Sequence, residues 1–496
     1  MRKAENIYLW LIAISGLSFW FFIGFPFANY YESYYWIGEL NKSSFFQMIF
    51  QPIGHYSTYR PLGQLVVLIL YKITKGSMFL IELSNYALTI SAIFIFILST
   101  TEKRVFSLIM IAIGGILFAG FGHLFHLHGL YYSVVLLFLS LLFYFYKKSR
   151  STSNLIYTTI LAVIAGLFHP LALLFHIFYL IGNTFEKRKN PAKKHFVIVS
   201  GIILLEIILL LILSPGQKLN LSVENLSGLM GIFQSFEANK LVTVFLVLFG
   251  LLSVFSLDVS RLYKIYFSAA LIVISAICYL TSLPLLIVAA LACSAKLIYM
   301  KRWTILSLLI ITFFFTIFTN VESGHLKFFI LFVLAYSISL DWKWLEDNLA
   351  FVSLRTGYTV ILITVLLVFL LKSDFKIPLL SKLSNSILAK KESTYQLEDI
   401  IDWYSNSEYK AGSLILFDNS PEQKNINCTE SIEQNPTSNE NLQIYLTSLK
   451  PEGNIKKETG ESLYVFFNNC SPENFKLVHF LEGKYSRNVS VYLLDE

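Results

Sequence analysis

Apolar stretches of about 15–21 residues recur from Ile7 to Leu371, separated by short segments that carry most of the charge. At 1.5 Å per residue, a tilted or protein-buried helix of that length crosses a hydrocarbon core of ~30 Å. The stretches predict spans near 7–27, 79–99, 104–122, 131–146, 155–170, 171–185, 196–214, 241–257, 265–282, 284–300, 303–319, 326–340 and 356–371, about thirteen in all. Composition agrees: 55% of residues are hydrophobic, 14% are charged and the mean hydropathy is +0.61, too apolar for a soluble protein. Disorder, a collagen-like rod and a disulfide-stapled miniprotein are excluded by the same runs and by only four cysteines.

Charge divides the chain in two. Residues 1–371 hold 26 Lys/Arg and 14 Asp/Glu, whereas residues 372–496 hold 13 and 18. The first part is therefore a basic membrane body and the second a mildly acidic soluble tail. The basic residues sit in short clusters between apolar runs, which fits the positive-inside rule and gives nucleic-acid binding no support. With Arg2 and Lys3 inside, alternation puts Lys103/Arg104, Lys147/Lys148/Arg150, Lys187–Lys194, Arg261/Lys264, Lys301/Arg302 and Lys343 on the cytoplasmic side together. This requires Pro61–Thr74, only about 14 residues long, to lie at the outer surface as a juxtamembrane helix within a first outer loop over 28–78. The first span has no small-residue cleavage site after it and reads as an uncleaved anchor.

The expected fold is an all-α polytopic membrane domain over 1–371, followed by a small extracytoplasmic α/β domain over 372–496. In that tail a helix is predicted over Tyr395–Tyr404, with strands over Ser413–Phe417, Leu442–Thr447, Ser462–Phe467 and Val489–Leu494. Cys428 and Cys470 both lie there and are candidates for a disulfide, while Cys278 and Cys293 fall in spans and read as packing residues.

Acids are scarce enough in the body to be weighed one by one. Glu32, Glu39, Glu82, Glu224, Glu237 and Glu322 are expected at or near the outer face, and Glu206 inside a span. Glu32 follows the first span directly within Ala28–Trp36, among four tyrosines and a tryptophan. Aromatic faces stack on sugar rings and a carboxylate accepts a proton, so this setting suits a cleft. An interfacial aromatic belt with an incidental glutamate explains the same residues. Next comes Tyr59-Arg60-Pro61-Leu62-Gly63: Pro starts a helix, and an Arg just before it stands where a helix N-terminus already favours anions. Arg60 thus suits a phosphate or, alternatively, snorkels as an interfacial anchor. His55, His123, His126, His128, His169 and His325 are also expected near the outer face. His123-x-x-His126-x-His128 has no nearby carboxylate or thiolate to complete a metal site, so no cofactor is assigned and a divalent metal is not supported.

In order and spacing, the uncleaved first helix, the acid just outside it, the aromatic loop and Tyr59–Gly63 resemble the type C glycosyltransferases. The likeness is closest to the protein O-mannosyltransferase and aminoarabinose-transferase branch. Lys75–Asn85 stands where that group often carries a Gly-rich turn and a His/Asn-bearing helix; Gly120–His126 resembles its second outer loop, and Ala165–Pro170 its small-residue, basic, Pro turn. The likeness is good over 1–190 and architectural beyond.

The resemblance implies an inverting transferase in the bacterial plasma membrane that takes a sugar from a polyprenyl-phosphate donor. The acceptor is a hydroxyl of a glycan, lipid or protein on the outer face. It makes Glu32 the general base and Arg60 the ligand of the donor phosphate, with Glu39, His55, Tyr59, His123, His126 and His128 in the cleft. Two departures stand out: Tyr31-Glu32 replaces a pair of adjacent acids, and the three histidines replace an acid in the second outer loop. They leave open an altered substrate, a different base or a non-catalytic relative. A lipid-linked glycan flippase predicts inverted repeats and broken helices, and no repeat is evident. A polysaccharide polymerase predicts a large outer loop late in the chain.

Overall fold

A computed structural model of the chain describes residues 31–50, 60–74, 78–99, 129–148, 152–186, 259–280, 285–318 and 326–340, parts of 199–208 and 388–406, and 413–417, 462–466, 474–484 and 488–494. These are mostly helical, with one small sheet. The helices are α1 (Tyr31–Lys42), α2 (Phe45–Phe50), α3 (Pro61–Ile73), α4 (Met78–Ser99), α5 (Gly129–Lys148), α6 (Thr152–Gly166), α7 (Leu171–Glu186), α8 (Arg261–Leu280), α9 (Leu285–Tyr299), α10 (Trp303–Phe318) and α11 (Leu326–Ser339). A further helix, α12, covers 395–404. Among the described residues one helix, Gly129–Lys147, has by itself the length and hydropathy to cross a membrane, and 72% of that stretch is buried inside the protein. Shorter apolar helices accompany it in the chain, including Leu171–Glu186 and Trp303–Phe313. The stretches at 7–27, 104–122, 241–257 and 356–371, Cys428, Cys470 and the strand expected over Leu442–Thr447 lie outside the described residues.

Where it is described, the segment between residues 28 and 78 is largely helical rather than an open aromatic loop. Ile37 and Leu40 fall one turn apart on α1 and bury themselves in one core with Val67 and Leu68 of α3. A reciprocal cap opens α2: the Ser44 N–H donates to Gln47 Oε1 at 2.8 Å and the Gln47 N–H to Ser44 Oγ at 3.3 Å.

Paired contacts set the direction of each helix in the bundle. Thr89 lies against Ser133 (Oγ1···Oγ 3.1 Å) and Phe96 against Phe143 (centroids 5.7 Å), so α4 and α5 run parallel. Tyr132 meets His169, Phe138 meets His176 and Tyr146 meets Glu186, so α7 runs with them. Phe175–Phe329 at one end and Phe143–Tyr336 towards the other add α11 in the same sense. Lys296 Nζ, near the end of α9, donates to the Ser337 carbonyl near the end of α11 at 2.8 Å, which adds α9. Against these run α6, where Thr159 meets His176, and α10, whose Ser307 hydroxyl donates to the Phe178 carbonyl at 2.6 Å.

The sheet has the order β1-β2-β4-β3, with β1 (Ser413–Phe417) parallel to β2 (Ser462–Phe466), and β4 (Val489–Leu494) antiparallel to both β2 and β3 (Phe475–Leu481). Strand period separates its faces. Leu463, Val465, Val489 and Val491 pack with Leu397, Ile400, Ile401 and Tyr404 of α12, and Tyr464, Phe466, Phe475 and Tyr492 gather on the other side. The first of these cores is continuous with Ile37, Leu40, Val67, Leu68, Ile81, Leu130, Tyr131 and Phe168.

Candidate functional site

Three segments meet at one end of the bundle: the start of α3, the start of α5 and the α6–α7 turn. Pro61 is compatible with the first turn of α3, where no N–H partner is needed, and Arg60 precedes it as the N-cap (φ −139°, ψ 66°), its carbonyl accepting the Gln64 N–H at 2.9 Å. Arg60 Cζ stands 4.7 Å from the centroid of the Tyr131 ring, a cation–π contact. The guanidinium is half-buried, and its Nε is buried without a hydrogen-bond partner among the described residues. Gly63, one turn into α3, makes the contact possible, since a Cβ there would overlap Tyr131 Cε1 and lie 2.6 Å from Cδ1. Gln64, the residue after it, is fully buried.

Tyr132 turns the site towards the α6–α7 turn, its ring centroid 5.1 Å from that of His169. His169 is buried, and its Nδ1 accepts the Leu171 N–H at 3.2 Å, which puts the proton of the neutral ring on Nε2. Phe168 shares the core that holds Leu130 and Tyr131. One turn inward, the Thr89–Ser133 hydroxyl pair and buried Asn85 continue a polar seam between α4 and α5. Chemically this end offers an arginine over a tyrosine ring, a second tyrosine and an imidazole whose Nδ1 accepts a hydrogen bond, a set suited to an anion beside a polyol.

Of the residues expected in the site, Arg60 is central to this cluster. Glu39 is half-buried on α1, where its carbonyl accepts the Ser43 hydroxyl at 2.7 Å. Glu32 is the second residue of α1, and its side chain lies outside the described residues. His55, Tyr59, His123, His126 and His128 also lie outside them, although His128 directly precedes α5, whose first turn carries Tyr131 and Tyr132. Sequence reasoning passed over Tyr131, Tyr132 and Gln64. The paired tyrosines directly after the His123–His128 run were an available signal, whereas nothing in the apolar run of α3 marked Gln64.

The opposite end of the bundle gathers differently. The Tyr146 hydroxyl donates to the Glu186 carboxylate at 3.1 and 3.2 Å, and the Thr304 N–H donates to Glu186 Oε1 at 3.0 Å. Glu186 thereby caps the N-terminus of α10, where a negative charge is favoured. Lys296 is fully buried near that end, a residue whose only sequence signal was a lone cation in the apolar run of α9.

The chain matches no protein-family model, no curated protein and no solved structure.

Proposed function

We propose that the chain is a multi-spanning membrane glycosyltransferase that moves a sugar from a polyprenyl-phosphate donor to an acceptor hydroxyl on the outer face. The observation that carries this reading is that adjacent residues at the start of α5 meet two motifs, Tyr131 meeting Arg60 and Tyr132 meeting His169. It joins two of the motifs that resemble type C glycosyltransferases, Tyr59–Gly63 and Ala165–Pro170, at one end of the bundle.

Membrane embedding is supported by α8. It buries Ser268, Leu271 and Ser275 and exposes Leu262, Tyr263, Ile265, Tyr266, Phe267, Ile272, Val273, Ile274 and Ile277. Small residues inward and large apolar ones outward suit a helix solvated by lipid, and a continuous apolar face of this size is costly in water. Helix direction supports the charge-based orientation. The parallel set α4, α5, α7, α9 and α11 would run outside to inside, and α6 and α10 the reverse, as alternation from Arg2 and Lys3 requires. Lys147, Lys301 and Arg302 then flank the end where Glu186 caps α10, and Arg60 belongs to the other end.

On this reading Glu32 removes the acceptor proton, the acceptor oxygen forms a bond to the anomeric carbon, and the bond from that carbon to the phosphate oxygen breaks. The lipid phosphate leaves with both bonding electrons, its charge held by Arg60, and the anomeric centre inverts. The test is release of polyprenyl phosphate from a labelled polyprenyl-phosphate sugar by membranes containing the protein. Release coupled to a glycosylated acceptor supports the proposal; transbilayer movement of an intact lipid-linked sugar instead identifies a transporter.

A further inference from the structure

We infer that Tyr131 is the positioning residue of a phosphate site: its ring is a shelf on which the Arg60 guanidinium lies, and Gly63 is the gap that lets the shelf reach it. The inference rests on the reading of Arg60 as a phosphate ligand, and adds how the arginine is held. Tyr131 is 1% exposed and shares a core with Leu130, Val67 and Phe168, so the ring is fixed before any ligand arrives. Arg60 and Gly63 are neighbours on one face of the first turn, and the ring occupies the space a side chain at 63 would fill. With Cζ 4.7 Å from the ring centroid, the N–H groups turned away from the ring remain for charge-assisted hydrogen bonds of the kind that recognise phosphate. The buried Arg60 Nε, without a partner among the described residues, is one donor of the guanidinium. Arg60 as a whole is only half-buried, so the remainder of its guanidinium stays within reach of a phosphate oxygen.

The test uses the full chain in lipid nanodiscs, with binding of polyprenyl phosphate as the readout and inorganic phosphate as competitor. Tyr131→Phe keeps the π face and should bind within about twofold of wild type. Replacing that phenylalanine by analogues with one, two and three ring fluorines drains the face of negative charge while hardly changing its shape. Affinity should fall stepwise, to a total of roughly three- to thirtyfold. Gly63→Ala should weaken binding by displacing the ring, and in an Arg60→Ala background the fluorine series should be flat. Competition by inorganic phosphate with the same dependence on ring fluorination identifies the phosphate alone as the ligand; dependence for polyprenyl phosphate only assigns the site to the lipid headgroup. A flat fluorine series in a protein whose Arg60→Ala variant binds poorly overturns the role of Tyr131. Unchanged binding by Arg60→Ala overturns the phosphate reading beneath it.

Discussion

Glu32 and Glu39 stand seven residues apart in α1. Seven residues are nearly two helical turns, so the two positions share a face and lie about 10 Å apart along the axis. A general base at 32 therefore has a second acid on its own side of the helix, away from the Ile37–Leu40 face that enters the core. Glu32→Gln should lower single-turnover sugar transfer by ~10²–10⁴-fold with donor binding retained, the scale of general-base catalysis. Wild-type transfer by Glu32→Gln, together with a dead Glu39→Gln, would move the base one face-sharing position onward. For Arg60, replacement by Ala should weaken donor use roughly ten- to hundredfold, and by Lys less, because a charged hydrogen bond is worth ~1.5–3 kcal/mol and lysine keeps the charge without the fork. Equal donor KM and kcat for Arg60→Ala and wild type would leave an interfacial anchor. Arg60 was legible because Arg-Pro marks a helix start in a few adjacent residues. Tyr131 was not, since cation–π partners are joined by folding and a tyrosine at a helix start has many uses.

Helix packing in the bundle depends on two glycines whose neighbours differ. A Cβ at Gly182 would strike the backbone of α10 at Thr304 Cα and lie 2.6 Å from the Trp303 carbonyl oxygen; at Gly166 it would meet only the side chain of Leu173, at 2.6–2.9 Å. Backbone cannot give way by rotamer change, so Gly182→Ala must push α7 from α10 and should cost ~1–3 kcal/mol, as overpacking does. Gly166→Ala should cost less, and thermal unfolding in detergent gives the order; a larger drop in Tm for Gly166→Ala contradicts it. Of the four strands, the one missed in the sequence was β3. Phe475–Leu481 is apolar and aromatic and is bounded by Pro472 and Gly483, but its strict alternation is broken by a register shift between Leu477 and His479. His479 stacks on Trp403 (4.9 Å, 12°), and burial lowers its pKa below the ordinary 6.5, against the opposite pull of Asp399. The unfolded chain then binds this proton more readily, so the stability contribution is complete above pH 6.5 and is lost as the pH falls through the lowered value. Amide exchange in β3 and β4 of the intact protein should therefore accelerate on acidification below that point more in wild type than in His479→Gln; equal acceleration places the sensitivity elsewhere.

At the scale of the whole molecule, helix positions were readable because apolar runs and basic interruptions are local, whereas the union of the tail with the first-loop helices was not. The core that joins α12 and the sheet to α1, α3, the starts of α4 and α5 and the α6–α7 turn assembles residues from Ile37 to Val491, with no shared motif to announce it. If the chain is embedded as proposed, that continuity constrains sidedness: segments packed in one core occupy one side of a bilayer, so α1, α3, α12 and the sheet share a compartment. Opposite them lies the end with Tyr146, Glu186 and Thr304, next to Lys147 and the Lys301/Arg302 pair. On the proposed membrane reading, the positive-inside rule assigns that end to the cytoplasm and the end with Arg60 to the outside, together with the sheet and α12. Single cysteines introduced in a variant lacking the native four should therefore react with a membrane-impermeant maleimide from outside when placed at His126 or returned at Cys428. At Lys147 or Lys189 they should react only after permeabilisation. Labelling of 126 only from the cytoplasmic side would invert the orientation and remove the outer-face acceptor. Labelling of 126 and 428 from opposite sides would contradict the proposed orientation, which places the two positions in one compartment.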